Sequence, residues 1–63
     1  MKCKVKTIFG KWVDGEIHGK KYVFLEGKHY LVTYTHTFYN MLSNRYVIST
    51  ETELIHHTRV VIL

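Results

Sequence analysis

The sequence predicts a small all-β domain, folded as a small barrel or a strongly bent antiparallel sheet with one short helical turn. Strand-favouring Val, Ile, Thr, Tyr, Phe and Trp dominate its composition, whereas Ala, the best helix former, is absent. The 63 residues leave room for one domain over residues 1–63. Because flat sheets with exposed edges tend to aggregate, we expect five or six short strands that bend or close.

The first predicted strand runs from Lys2 to Phe9 and alternates between two faces. Gly10 ends or bends it. One face carries Lys2, Lys4 and Lys6, and the other carries Cys3, Val5 and Thr7. A single cysteine excludes an intrachain disulfide, so we expect Cys3 to be a reduced, half-buried thiol in a cytosolic protein.

Turn-forming residues interrupt the next segment. Short strands are predicted over Lys11–Val13 and Glu16–His18, with a turn at Asp14-Gly15 between them and a further break at Gly19. A long loop over the same residues is the alternative.

The clearest element is a hairpin whose strands are Tyr22–Glu26 and His29–Phe38. Gly27-Lys28 stands between them, and a glycine in the first central position is typical of a type II′ turn. That turn places Glu26 opposite His29, with Leu25 opposite Tyr30 and Val23 opposite Val32. Both faces of this hairpin are apolar, which favours a central or covered position.

The second half of the chain mixes helical and strand signals. Phe38, Met41 and Leu42 follow helical spacing, which predicts one or two helical turns within Thr37–Asn44, with Asn44 as a left-handed stop. Strands are predicted over Arg45–Thr50 and Thr58–Leu63. Between them, Thr50–Glu53 matches a capping box and predicts another single turn through Leu54–His56.

The order of these elements resembles a known class of small barrels. The residues that carry the resemblance are Trp12 with Gly15, the run Tyr22–Leu25, and the turn before a short terminal strand. Together they are similar to an SH3-like or Sm-like barrel. The resemblance implies a binding domain, but such barrels bind RNA, DNA and peptides alike, so it does not choose the partner.

Charge is concentrated in the first 28 residues. All seven lysines lie there, and they account for the net charge of +4, because Arg45 and Arg59 balance Glu51 and Glu53. Lysines in a row on a strand stand about 7 Å apart, close to the phosphate repeat of extended nucleic acid. The candidate site for nucleic acid or an acidic partner comprises Lys2, Lys4, Lys6, Lys11, Trp12, Lys20, Lys21 and Lys28. The alternative is a solvated strand face that protects an edge from aggregation.

Aromatic and apolar side chains predict a second kind of surface. Five tyrosines in so small a chain cannot all be buried, and exposed tyrosines stack on bases or anchor protein interfaces. The candidate interface residues are Tyr39, Tyr46, Val61 and Leu63. The apolar ending Val60–Leu63 pairs inside the sheet or forms contacts between copies of the chain.

Motifs for catalysis, metals and cofactors are absent from the sequence. It has no phosphate-binding glycine loop, no nucleophile elbow and no spaced carboxylate pair. His29 and His36 face opposite sides of one strand, and the adjacent His56 and His57 also diverge, so no metal site is expected. The longest apolar run, Val60–Leu63, is too short to cross a bilayer.

The sequence thus predicts a cytoplasmic, non-enzymatic binding module without a cofactor, with nucleic acid slightly favoured as the partner. Two alternatives stay open. One is a phage-type accessory protein that binds and inhibits or redirects a host protein, as a tiny gene with many AT-rich codons, such as those of Lys, Ile and Tyr, suggests. The other is a structural homo-oligomer.

Overall fold

The computed structural model describes all residues, 1–63, and contains one five-stranded antiparallel sheet. The strands are β1 (Lys2–Lys6), β2 (Trp12–Val23), β3 (Gly27–Asn40), β4 (Arg45–His56) and β5 (Val60–Ile62), and a 3₁₀ turn (His57–Arg59) links β4 to β5. Their order across the sheet is β4-β3-β2-β1-β5. The all-β class is confirmed. The sheet is not closed, because β4 and β5 form its two free edges, so the predicted barrel is not confirmed.

A small core covers one face of the sheet, which we call the inner face. It consists of Cys3, Val5, Val32, Tyr34, Ile55 and Val60. Ile55 and Val60 come from opposite edge strands yet share this cluster. In a flat sheet four strand spacings would separate those edges by about 19 Å. The sheet therefore bends around its core, which allows the short 3₁₀ turn to join the two edges.

Strand β1 follows the predicted alternation. Cys3 and Val5 are buried on the inner face, and the lysines point to the opposite, outer face. The strand ends at Lys6 rather than at Phe9, because the Thr7 N–H donates to the Lys11 carbonyl at 2.7 Å and closes a loop. Gly10 lies in that loop with φ +79°, as its predicted role as a break requires.

The predicted turn at Asp14-Gly15 is wrong. Gly15 lies inside β2, opposite Cys3 on one side and Tyr34 on the other. A Cβ at this position would come 3.0 Å from a methyl of Val32 and 3.1 Å from one of Val5. The glycine is therefore needed for close packing rather than for a turn. Gly19 marks a β-bulge, where the register with β3 shifts after Ile17, and the strand continues.

The hairpin between β2 and β3 exists, but its predicted register is wrong. Val23 pairs with Gly27 and Tyr22 with Lys28. The turn is Val23–Glu26, closed by a bond from the Glu26 N–H to the Val23 carbonyl at 3.1 Å. Leu25 adopts φ +66° within this turn, which is a conformation that residues with a Cβ seldom take. The sequence therefore pointed to the neighbouring glycine instead.

The predicted helical turns over Thr37–Asn44 and Leu54–His56 are also wrong. Strand β3 continues to Asn40, and strand β4 is unbroken from Arg45 to His56. Cross-strand pairing opposes the helical spacing, since Tyr39 faces Tyr46 across the hairpin. Asn44 does take the predicted left-handed conformation, with φ +54°, but within the β3–β4 turn. The final strand is shorter than Thr58–Leu63, because Thr58 belongs to the 3₁₀ turn.

Candidate functional site

The outer face of the sheet gathers most of the side chains that the sequence singles out. Paired residues share a face, and the register pairs Lys2 with Glu16 and Lys6 with Trp12. The same face continues across β3 and β4 to the Tyr39–Tyr46 pair. Nine predicted residues lie on it: Lys2, Lys4, Lys6, Trp12, Lys21, Tyr39, Tyr46, Val61 and Leu63.

Carboxylates partly neutralise the lysine row of β1. The Lys4 ammonium lies 2.5 Å from Asp14, and the N-terminal ammonium lies 2.8 Å from Glu16. The hydrogen bond and charge of Lys4 hold the pKa of Asp14 below its usual value, and the hydrogen bond from the N-terminal ammonium does the same for the pKa of Glu16. This row therefore offers an anionic ligand less positive charge than its three lysines suggest.

An uncharged ladder of threonines occupies the middle of the outer face. Hydroxyl pairs join Thr33 to Thr52 at 2.7 Å and Thr35 to Thr50 at 2.8 Å. The rings of Tyr39 and Tyr46 meet edge to face beyond them, with centroids 5.3 Å apart. These cross-strand contacts hold β3 against β4 and separate the aromatic pair from the lysine row.

A denser basic cluster lies at the far end of the β2–β3 hairpin. Lys20 pairs with Tyr30, and Tyr22 pairs with Lys28, so two cations and two phenol rings alternate on the inner face of the sheet, where Tyr30 packs against the core. We call these four residues the hairpin patch. The Lys28 ammonium lies 5.0 Å from the centre of the Tyr30 ring, and hydrogen bonding to Tyr30 raises the pKa of Lys28 above its ordinary value.

Imidazoles contact the turn of this hairpin. The His56 ring lies 2.8 Å from the Glu26 carbonyl, and it contacts the His29 ring at a centroid distance of 5.1 Å. Lys21 pairs with His29 on the side opposite the hairpin patch. The predicted divergence of His56 and His57 is wrong, because the 3₁₀ turn brings their ring centroids within 4.4 Å. No group of three or more metal-ligating side chains has the arrangement to hold an ion.

Lys11 stands apart from the other predicted lysines. It lines a cavity of about 560 Å³ between the start of β2 and the second half of β3, beside Phe9, His36 and Phe38. We call this cavity the cleft. It is the only place where the sheet separates two of its central strands, since the β2–β3 pairing stops at Gly15 and Tyr34.

Carboxylates contact two polar side chains on the inner face, and the other ring nitrogen of His36, Nδ1, is buried without a hydrogen-bond partner. The Tyr34 hydroxyl donates to Glu53 at 2.9 Å, and the His36 imidazole lies 3.1 Å from Glu51. Burial, followed by the bond to Glu53, raises the pKa of Tyr34 well above its ordinary value. Burial also raises the pKa of the Cys3 thiol, which disfavours the thiolate needed by a nucleophile.

Comparison with protein-family models, with curated proteins and with solved structures found no match to this chain. The protein has no helix with the length and apolar character needed to cross a membrane.

Sequence reasoning placed Lys20 and Lys28 in the site but left out Tyr22 and Tyr30. The wrong hairpin register hid their alternation with the lysines. The spacing Lys-x-Tyr, which occurs at residues 20–22 and again at 28–30, was the available signal, because period-2 spacing on a strand puts both members on one face.

Proposed function

We propose that this protein binds nucleic acid through its phosphate backbone, with the hairpin patch as the principal contact. The observation that carries the proposal is the alternation of Lys20 and Lys28 with Tyr30 and Tyr22 across two paired strands. Lysines neutralise phosphates. The Tyr22 ring is 70% exposed and can stack on an unpaired base, whereas Tyr30 is half-buried against the core. The pattern therefore suits a single strand.

Local charge supports this end of the molecule over the β1 row. Glu26 is the only carboxylate in the hairpin from Lys20 to Tyr30, which also carries Lys21. The β1 lysines, in contrast, face Asp14 and Glu16. Electrostatic attraction should therefore be stronger at the hairpin patch.

The residue types favour binding without sequence readout. Only two arginines occur in the chain, and both lie outside the hairpin, at Arg45 and Arg59. Arginine rather than lysine supplies the bidentate contacts that read bases. The sheet curvature and the short turn before β5 support an open SH3-like or Sm-like arrangement for this module, a class that includes nucleic-acid binders.

Fluorescence anisotropy with a labelled single-stranded oligonucleotide tests the proposal. We expect log Kd to depend on log salt with a slope of about 1.4, for two phosphate contacts at roughly 0.7 each. Replacing Lys20 and Lys28 by Gln should weaken binding and reduce the slope by about 1.4. The matched Lys2→Gln, Lys6→Gln variant removes the same charge from β1 and should retain more of both affinity and slope. Affinity that does not change with salt contradicts the proposal.

A protein partner is the second candidate, and the hairpin tips favour it. Phe24 and Leu25 are 88% and 90% exposed at one tip, and Leu42 is 100% exposed at another. Large apolar side chains grouped at an exposed tip are typical of protein contacts. Capture of one host protein by the tagged chain, resistant to nuclease, would favour the accessory-protein alternative. The free β5 edge with Val61 and Leu63 suits the third alternative, a homo-oligomer.

A further inference from the structure

The cleft exposes two unpaired strand edges inside the sheet. Strand β2 begins at Trp12 and strand β3 continues to Asn40, yet their pairing stops at Gly15 and Tyr34. Beyond that point β2 is paired only with β1 and β3 only with β4. Three residues of β2 and six of β3 therefore lack a neighbour on the cleft side.

The backbone of β2 aims hydrogen-bonding groups into the cleft. Partners alternate along an antiparallel pair, so every second residue faces each neighbour. Bonds from Thr7 to Lys11 and from Ile17 to Met1 show that the odd-numbered residues of β2 face β1. The backbone N–H and carbonyl of the even-numbered residues point the other way, so those of Trp12 face the cleft.

The backbone of β3 does the same over a longer stretch. Glu16, an even-numbered residue of β2, faces β3, and its partner there is Thr33. The odd-numbered residues of β3 therefore face β2. Beyond the paired region, Thr37 and Tyr39 direct both the N–H and the carbonyl into the cleft, where no strand meets them.

The side chains around the cleft indicate what a filling strand would carry. The inner side is apolar and aromatic, with Phe9, Val13 and Phe38, and the opposite side has threonine hydroxyls. Lys11 is the only lysine, arginine or carboxylate among the lining residues. Alternating side chains of an inserted strand would meet these two sides in turn.

We propose that the cleft binds an extended peptide segment of another protein, which pairs with the Thr35–Asn40 edge of β3. The segment carries apolar side chains at alternate positions and a carboxylate that meets Lys11. Backbone bonds to β3 supply affinity, and the aromatic side selects the apolar residues. This site lies at the opposite end of β2 from the hairpin patch, so it is independent of the proposed nucleic-acid function.

Amide hydrogen exchange measured by NMR tests the proposal residue by residue. The probe is an acetylated heptapeptide that alternates valine with threonine and carries one glutamate. In the free protein we expect rapid exchange at Thr37 and Tyr39, whereas Thr33, paired with Glu16, is protected. At saturating peptide, exchange at Thr37 and Tyr39 should slow by about tenfold or more. The same peptide with N-methyl groups along its pairing edge should have no effect.

Two variants separate backbone pairing from charge. Thr37→Pro removes an N–H that faces the cleft and leaves the bonds between β3 and β4 in place, so it should abolish peptide binding in a folded protein. Lys11→Gln should weaken binding of the peptide that carries glutamate but not of the same peptide with glutamine in its place. Lys6→Gln is the matched control. The proposal is overturned if about 1 mM peptide leaves both amides unchanged. It is equally overturned if protein concentration or an oligonucleotide alone protects them, since a second copy or a nucleic acid then fills the cleft.

Discussion

Because Gly15 has a hydrogen atom in place of a side chain, β2 can pack close to the core. Methyl groups of Val32 and Val5 lie 3.0 and 3.1 Å from where its Cβ would be, and both valines are fully buried. Interiors are packed too densely to move aside at no cost. The fold therefore depends on this residue more than on the turn that the sequence suggested.

Gly15→Ala should lower the free energy of unfolding by about 1–3 kcal/mol through overpacking. Urea denaturation measures this directly. Gly19→Ala is the matched control, because no atom lies within 4 Å of its added Cβ. Equal effects at the two positions would contradict the packing explanation.

The ion pairs of Asp14 and Glu16 give the stability a predictable pH dependence. Both carboxyls have a pKa lowered in the folded state from ordinary values of 3.8 and 4.5. A lowered folded pKa stabilises the protein above the unfolded value, and the stabilisation is lost as the pH falls through the folded value.

We therefore expect the free energy of unfolding to decrease as the pH falls from about 5 to about 3. Asp14→Asn combined with Glu16→Gln should make the denaturation midpoint less dependent on pH over this window. Because both carboxylates are exposed to solvent, the difference should shrink in high salt. Identical pH profiles for the variant and the parent chain would show that these pairs do not contribute.

At the scale of elements, the β2–β3 hairpin shows why register is hard to predict. Gly27 does have positive φ, at +88°, but so does Leu25, at +66°. A leucine in that region costs about 1–2 kcal/mol, so a sequence argument assigns the turn to the glycine. The bond from His56 to the Glu26 carbonyl helps to hold the observed turn, and this contact is 30 residues away in sequence.

Leu25→Gly should relieve this strain. The Leu25 side chain is exposed, so its removal costs little packing energy. The greater backbone entropy that glycine loses on folding offsets about 0.5–1 kcal/mol of the relieved strain. A net gain of up to about 1 kcal/mol corresponds to a rise in Tm of roughly 4–8 °C in a chain of this size. Leu42→Gly is the control, because Leu42 is equally exposed but has no positive φ. Thermal unfolding that ranks Leu42→Gly as the more stable variant would contradict the assignment.

At the scale of the whole molecule, the residue types predicted the all-β fold class and the two faces of β1 better than they predicted the positions of the turns. The alternation along β1 predicted which residues share a face, although the strand ends at Lys6 rather than at Phe9 and Cys3 is fully buried rather than half-buried. The helical turn was predicted wrongly from the spacing of Phe38, Met41 and Leu42. An apolar hairpin tip has the same spacing, and only the pairing of β3 with β4 distinguishes the two. The site was predicted as one lysine-rich half. The bend and the strand register instead divide those lysines among β1, the cleft and the hairpin patch, with Lys21 on the opposite face of the hairpin.

NMR titration of the ¹⁵N-labelled protein with a single-stranded oligonucleotide tests whether nucleic acid binds at the hairpin patch. Nucleic-acid binding at the hairpin patch predicts amide shift changes that cluster at Lys20–Tyr22 and Lys28–Tyr30 and diminish as salt is added. Shift changes that centre on Lys2–Lys6, or no changes at low salt, would contradict it.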